Sequence, residues 1–266
     1  MLTAITLLVA LAHAPCRADA PADEPPPVIE LNPLLDTGLL VSGLTLGLTL
    51  ELIISSSELT PQQPGDPDKL PAIDRPFARD DDRHDRGISS IALGGMGAYA
   101  IADAVLSDVH DRGDPWHHYI IMYTQSVALT LVVTDMVKIA VRRPRPEAYA
   151  AVRDTGMANE ETNSALSFIS GHASIAAALG GTATYMAFAR PGADWERWGV
   201  LGGSVALTGV VGSFRVIEGK HFPTDVIAGA AVGAAIGLLV PHLHRPRAAA
   251  VVLVPTDSGL ALAGRF

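Results

Sequence analysis

The chain has 266 residues, of which 48% are apolar and only 18% are charged, and its formal net charge is −9. A disordered chain would carry more charge and fewer apolar residues, and a basic nucleic-acid binder would not have an isoelectric point near 5.4. The single cysteine, Cys16, excludes a disulfide scaffold. Low charge together with many glycines and alanines indicates helices that pack closely on small residues, in water or in lipid.

The first twenty residues have the pattern of a targeting segment. An apolar run over residues 2–12 is too short to cross about 30 Å of hydrocarbon as a helix, and the small-x-small sequence Ala18-Asp19-Ala20 follows it. We therefore predict a cleaved signal peptide over residues 1–20, which would remove Cys16, with an uncleaved anchor as the alternative. Residues 21–33 are Pro-rich and acidic and are predicted to form an extended linker.

Six long apolar stretches follow, and their length and composition predict an all-α bundle of six helices. Each has about the 20 residues of a spanning helix, and each is rich in small or branched apolar residues with little period-2 alternation. Their approximate bounds are 34–57, 88–108, 117–141, 168–189, 197–217 and 223–243. We assign residues 34–247 to one helical domain. The C-terminal tail, residues 248–266, is predicted to be a hairpin or a loose segment.

The sequence carries opposing signals about whether this bundle lies in lipid or in water. Glycines spaced by four residues in the sixth stretch, Gly229, Gly233 and Gly237, would let another helix approach closely, as in membrane proteins. Polar residues inside a span are costly and face the bundle interior or a polar cavity. Four such residues interrupt the stretches: Glu51, Asp103, Gln125 and Asp135. We favour a membrane-embedded bundle and keep a soluble one as the alternative.

Chemistry-bearing residues gather in three clusters, each at an end of an apolar stretch. The first runs from Lys138 to Pro146, the second from Ser167 to His172, and the third from Ser213 to Asp225. Each cluster also has a purely structural interpretation when it is considered alone. The first could be a basic cluster that sets membrane topology, the second a helix cap, and the third a surface i,i+4 pair. However, helices that alternate in direction would bring all three clusters to the same end of the bundle. The pattern therefore predicts one shared site.

The order and spacing of these clusters resemble the type 2 phosphatidic acid phosphatase family, which shares its fold and site with bacterial class A acid phosphatases and vanadium haloperoxidases. The matching residues are Lys138, Arg145 and Pro146 in K-x6-R-P, Ser170, Gly171 and His172 in P-S-G-H, and Arg215, His221 and Asp225 in S-R-x5-H-x3-D. The chain departs from the pattern at two positions, where Ile169 replaces a proline and Phe214 replaces a serine. Neither replaced residue is one that we would assign to bond-making.

The resemblance implies a phosphatase that needs no metal or other cofactor. Lys138, Arg145 and Arg215 would form a cationic cage for the phosphate, with the arginines offering forked donors. The Ser170 hydroxyl and the Gly171 amide would add hydrogen bonds at a helix N-terminus. Positioning and charge stabilisation of this kind are what phosphoryl transfer mainly requires.

The same resemblance implies a two-step reaction. His221 would be the nucleophile and form a phosphohistidine, while Asp225 would accept a hydrogen bond from its other ring nitrogen. His172 would protonate the leaving oxygen and then activate water. The remaining histidine pairs, His117-His118 and His242-x-His244, are expected at the opposite end of the bundle, interfacial or solvated, because no partner sits at metal-ligand spacing.

Three alternatives stay open: a vanadate-dependent haloperoxidase, a soluble periplasmic acid phosphatase of small phosphomonoesters, and a non-catalytic lipid- or phosphate-binding protein. We expect a phosphorylated lipid or isoprenoid substrate, membrane lipid as a partner and no nucleic acid.

The resemblance implies a bacterial inner membrane with the site facing the periplasm. A cleaved signal followed by six spans would instead put the site in the cytoplasm, so the first stretch, with Glu51, is our candidate for one that does not cross.

Overall fold

The computed structural model describes residues 28–56, 59–79, 87–109, 114–158, 160, 162–246, 252–256 and 259–263. Its helices are α1 (Pro33–Ser55), α2 (Arg75–Arg79), α3 (Ile88–Val109), α4 (Trp116–Val141), α5 (Pro146–Thr155), α6 (Gly171–Ala189), α7 (Asp194–Ile217) and α8 (Pro223–Leu243). Single 3-10 turns occur at Pro67–Lys69 and Asn163–Ala165. The predicted signal peptide with Cys16, and the first part of the predicted linker, lie outside the described residues.

The six predicted helices correspond to the six long helices α1, α3, α4, α6, α7 and α8, so the all-α prediction is confirmed. Their bounds agree with the apolar stretches to within about three residues. The hairpin proposed for the C-terminal tail is also present, since β1 (Val252–Thr256) pairs antiparallel with β2 (Gly259–Ala263), with Val252 opposite Ala263. The sequence did not indicate the short helices α2 and α5, the second of which begins at the last residue of the first cluster.

Helix α6 lies at the centre of the bundle and packs against α3, α4, α7 and α8. Its contact with α8 is backbone against backbone. A Cβ atom on Gly233 would lie only 1.9 Å from the Ser174 carbonyl oxygen, and one on Gly237 only 2.2 Å from the Ala178 carbonyl oxygen. The predicted stripe of small residues is therefore a close helix contact that admits no side chain.

Three of the four polar residues inside the apolar stretches face the bundle interior. Asp103 accepts a hydrogen bond from Arg190 at 3.1 Å, and Gln125 donates to a carboxylate of α1 at 3.0 Å. Asp135 is also buried, at the end of α4 that carries the first cluster. Glu51 differs because it is exposed on α1. Paired interior positions are where a membrane bundle tolerates such groups.

Five segments of the described chain are long and apolar enough to cross a membrane: Pro33–Ser55, Ile88–Leu106, Trp116–Thr155, Asp194–Ile217 and Pro223–Leu243. Their outer faces carry large apolar side chains, such as Leu34 at 83% and Ile91 at 73% exposure. An apolar exterior of this extent indicates a membrane protein. The central helix α6 is long enough but not apolar enough to be among the five segments, and most of its residues are buried against its neighbours.

The last residues before α1 are held against the bundle at the end opposite the three clusters. The Ile29 side chain is fully buried. The Val28 N–H donates to Asp114 at 3.1 Å, and the Glu30 N–H donates to the His244 carbonyl at 2.8 Å. Residues 28–32, the described part of the predicted linker, form no helix or strand and are packed against the domain.

Replacing Gly233 by Ala is expected to destabilise the bundle, because the new methyl group would force α8 away from α6. We expect a loss of about 1–3 kcal/mol, measured as a lower thermal unfolding temperature in detergent. Gly203→Ala is the matched control, since nothing lies within 4 Å of a Cβ at Gly203. That substitution should stabilise α7 by about 0.5–1 kcal/mol. Equal effects of the two substitutions would contradict the close contact.

Candidate active site

The alternating directions of the long helices bring the three clusters to one end of the bundle. This end is formed by the C-terminal ends of α4 and α7 and the N-terminal ends of α6 and α8. The Ser170 N–H donates to the Asp225 carbonyl at 3.0 Å, and a Cβ on Gly171 would lie 3.3 Å from the Lys138 Nζ. The three predicted cage cations lie close enough to both histidines to lower their pKa values, so the eight residues predicted for the site lie together.

His221 is almost completely buried, and a backbone carbonyl sets its tautomer. Its Nδ1 lies 2.7 Å from the Ser167 carbonyl oxygen, which can only accept a hydrogen bond. The proton therefore sits on Nδ1, and Nε2 carries the lone pair. Burial, with Arg145 and Arg215 nearby, holds the pKa of His221 well below its usual range. The ring is thus neutral at pH 7, with Nε2 able to act as a nucleophile.

Asp225 does not make the hydrogen bond to His221 that we predicted, since its Oδ2 lies 4.0 Å from the His221 Nδ1. Its carboxylate instead accepts the Ser167 hydroxyl and the Phe222 backbone N–H, the latter at 2.8 Å, and pairs with Arg143 at 2.5 Å. Ser167 offers its hydroxyl to Asp225 and its carbonyl to His221. Asp225 therefore positions His221 indirectly, through Ser167.

Arg143 connects the end of α4 to the start of α8. Its guanidinium donates to Asp225, to the Thr224 hydroxyl at 2.8 Å and to Asp74 at 2.8 Å, and it lies 4.2 Å from the centre of the Phe222 ring. Sequence reasoning placed Arg143 only in a basic cluster and missed Asp74 entirely. Asp74 is fully buried, and it precedes α2 in a segment without a recognisable motif. No local signal could have found it.

Each of the three predicted cage cations has a carboxylate neighbour. The pairs are Lys138 with Asp135 at 2.8 Å, Arg145 with Glu147 at 3.5 Å, and Arg215 with Glu218 at 3.2 Å. The cationic side chains are only 11–16% exposed. Partnered and largely enclosed cations of this kind are positioned before a ligand arrives, which reduces the ordering cost of binding an anion.

The N-terminus of α6 has the features of an anion site. Ser170 stands at the N-cap position, yet its side chain does not cap the helix. Its hydroxyl is buried and has no hydrogen-bond partner among the described residues. A buried hydroxyl without a partner costs free energy that a bound anion would recover. Ser170 is therefore the N-cap residue by position but makes no capping bond with its side chain, and its role in holding phosphate stays a prediction.

His172 lies in the first turn of α6, beside the cations. Its Nε2 is 3.1 Å from the Ser90 Oγ. Burial and the nearby Arg215 together lower the pKa of His172 to about 4, although the Glu218 carboxylate opposes the shift. The ring is therefore neutral without a ligand. A phosphate anion among the cations would raise the pKa of His172 and so let the ring hold a proton.

The two departures from the family pattern have simple structural consequences. Ile169 is buried at 2% exposure, so it fills the space of the replaced proline with another apolar side chain. Ser213 is exposed on α7. It therefore does not supply the hydroxyl that is missing at Phe214.

The remaining histidines lie at the opposite end of the bundle, as predicted. The expectation that they are solvated is wrong for His244, because its Nε2 lies 2.7 Å from the Asp36 carboxylate and its side chain is only 13% exposed. His118 has a neighbouring carboxylate too, since its Nδ1 lies 3.4 Å from Asp114. Within the described ranges, no three His, Cys, Asp or Glu side chains come together as metal ligands.

Comparison with known families agrees with this geometry. The sequence model of the PAP2 superfamily matches residues 119–249, a segment that contains all three clusters. This segment of the chain belongs to the superfamily, which implies phosphoester chemistry of the phosphatase and haloperoxidase kind in general. The comparisons with curated proteins and with solved structures gave no match.

Arg143→Gln is expected to destabilise the protein strongly, because it leaves the carboxylates of Asp74 and Asp225 buried without their cation. The loss should be about 3–5 kcal/mol, read as a lower unfolding temperature. Arg153→Gln is the control, since Arg153 is 41% exposed and pairs with its neighbour Asp154. We expect it to cost less than about 1 kcal/mol. Similar losses for both variants would contradict the central position of Arg143.

Proposed function

We propose that the protein is a metal-independent phosphatase that hydrolyses phosphomonoesters or pyrophosphates of a lipid through a phosphohistidine intermediate. Membership of the superfamily supports phosphoester hydrolysis in general. One observation carries the finer proposal, the hydrogen bond between the His221 Nδ1 and the Ser167 carbonyl. It leaves the Nε2 lone pair free in a buried site that is surrounded by cations.

In the first step, the His221 Nε2 attacks phosphorus while the bond to the leaving oxygen breaks. Lys138, Arg145 and Arg215 hold the equatorial oxygens and offset the charge that spreads over them. His172 gives its proton to the leaving oxygen. The product of this step is a neutral alcohol, or a shorter phosphate, and a phosphorylated ring on His221.

In the second step, water replaces the ring nitrogen on phosphorus. Neutral His172 takes a proton from the attacking water, the P–N bond breaks, and the electron pair returns to the His221 Nε2. The cationic side chains supply the electrostatic stabilisation that a metal ion supplies in other phosphoryl-transfer sites. At the end of the cycle inorganic phosphate leaves, and both histidines regain their starting protonation states.

A lipid substrate is supported by the surroundings of the site. The cage lies where apolar, span-length helices end, so that a bundle embedded in a bilayer would hold it at the level of the polar headgroups. The apolar part of a lipid or isoprenoid phosphate would then remain in the bilayer while its phosphate enters the cage. In a soluble bundle the same cage would favour small phosphomonoesters, so activity on both substrate classes should be compared.

His221→Ala is expected to abolish phosphate release, with a loss of about 10⁴-fold or more in kcat, because no nucleophile remains. The reaction of the wild-type protein with a radiolabelled substrate should be quenched rapidly without acid. We expect this quench to trap a phosphoprotein that is labile in acid and stable in base, and the variant should not form it. His242→Ala is the control, since His242 is exposed at the opposite end. Full turnover by His221→Ala would refute the phosphohistidine.

The pH profile should be displaced towards acid, because both histidines have lowered pKa values. A lowered pKa keeps His221 neutral, and thus nucleophilic, well below pH 6.5. Because the pKa of His172 is about 4, this general acid loses its proton in the free protein once the pH rises above that value. We expect kcat/KM to be highest at acidic pH and to fall towards neutrality. An acid limb at pH 6.5 or above would contradict this geometry.

A further inference from the structure

Glu218 is a buried carboxylate between two residues of the third motif, at a position that the motif leaves unspecified. It follows the last residue of α7 and is 3% exposed. Its Oε2 lies 3.2 Å from the Arg215 Nη1. A negative charge beside a phosphate-binding arginine opposes the binding of an anionic substrate. The presence of Glu218 there therefore needs another explanation.

The other contacts of Glu218 are with the first turn of α3. The Ser89 hydroxyl donates to Oε2 at 2.8 Å, and the Ser89 N–H donates to Oε1 at 3.3 Å. A carboxylate is favourable at this place, because the N-terminal amides of a helix attract negative charge. The next residue, Ser90, has its Oγ 3.1 Å from the His172 Nε2. Glu218 is thus connected directly to Arg215 and, through one helical turn, to His172.

We propose that Glu218, Ser89 and Ser90 form a positioning unit. This unit holds Arg215 and His172 in the relative positions that phosphoryl transfer requires. The inference rests on the proposed phosphatase function and adds three residues to its site. Glu218 fixes the guanidinium through an ion pair and fixes the α3 turn through Ser89. Ser90 then orients the ring that carries the proton. None of the three touches the reacting atoms.

The unit also balances the charges around His172. The groups that act on this ring are Arg215, Lys138 and Arg145, which lower its pKa, and Glu218, which raises it. Because Glu218 is the carboxylate that opposes three cations, its charge helps His172 keep the proton that the leaving group needs. A neutral residue of the same shape at position 218 could keep hydrogen bonds to Ser89 and Arg215, but it would remove the negative charge.

The first test is Glu218→Gln, with the pH profile of kcat as the readout. The alkaline limb of this profile reports loss of the proton from His172, and we expect it to move to lower pH by about one unit. At a given pH on that limb, this shift equals an about tenfold loss of kcat. Glu196→Gln is the matched control, because Glu196 pairs with Arg190 at 2.9 Å at the opposite end of the bundle. We expect the control to leave the limb in place.

The second test is Ser90→Ala, which removes one hydrogen bond from the exposed start of α3 and puts folding at little risk. We expect kcat to fall about 3- to 10-fold with KM nearly unchanged, and Ser90→Thr to restore most of it. Ser42→Ala is the control, since within the described part of the chain the Ser42 hydroxyl bonds to two carbonyls of its own helix, the nearer at 2.7 Å.

The outcomes separate this inference from the proposed function. A folded Glu218→Gln protein with an unshifted alkaline limb would overturn the positioning unit and leave the phosphatase intact. If that variant does not fold, Ser90→Ala decides, and unchanged kcat there overturns the unit. Failure to trap a phosphoenzyme in the wild-type protein would instead overturn the mechanism, whatever the variants show.

Discussion

The ion pair between Arg143 and Asp225 joins parts of the chain that lie more than 80 residues apart and carries the geometry of the site. Asp225 is fully buried, so without the guanidinium it would hold an uncompensated charge at the start of α8. With that charge neutralised, its second oxygen can accept the Ser167 hydroxyl and the Phe222 amide. Ser167 then presents its carbonyl to the His221 Nδ1, and this contact decides which ring nitrogen can react.

Close packing of small residues brings the start of α8 against the N-terminus of α6. A Cβ on Gly229 would lie 2.6 Å from the Ser170 carbonyl oxygen, so α8 meets the N-terminus of α6 at backbone distance. The same approach permits the hydrogen bond from the Ser170 amide to the Asp225 carbonyl. The glycine stripe is therefore part of the site's construction as well as of the bundle's stability. Larger residues would separate the N-terminus of α6, where we propose that phosphate binds, from the proposed nucleophile His221.

The sequence predicted what depends on local periodicity and on motif spacing. The six long helices, the shared end of the three clusters and the close contact at Gly233 follow from such patterns. The positions of Asp74 and Ser90 do not, because each lies in a segment without any motif and meets its cluster only in the folded chain. The i,i+4 spacing of His221 and Asp225 permitted a direct hydrogen bond, but the Ser167 carbonyl occupies the ring nitrogen that this bond needs. His244 was misjudged for a similar reason, since its carboxylate neighbour comes from a distant helix.

In the proposed mechanism, the Ser167 carbonyl holds the proton on the His221 Nδ1 and leaves Nε2 to attack phosphorus. The most direct measurement is the phosphorus NMR spectrum of the trapped phosphoprotein, combined with peptide mapping, because the two phosphohistidine isomers have distinct chemical shifts. The structure predicts a single species, phosphorylated on Nε2 of His221. A phosphoryl group on Nδ1 of His221, or on His172, would contradict the assignment of the nucleophile and the role of Ser167.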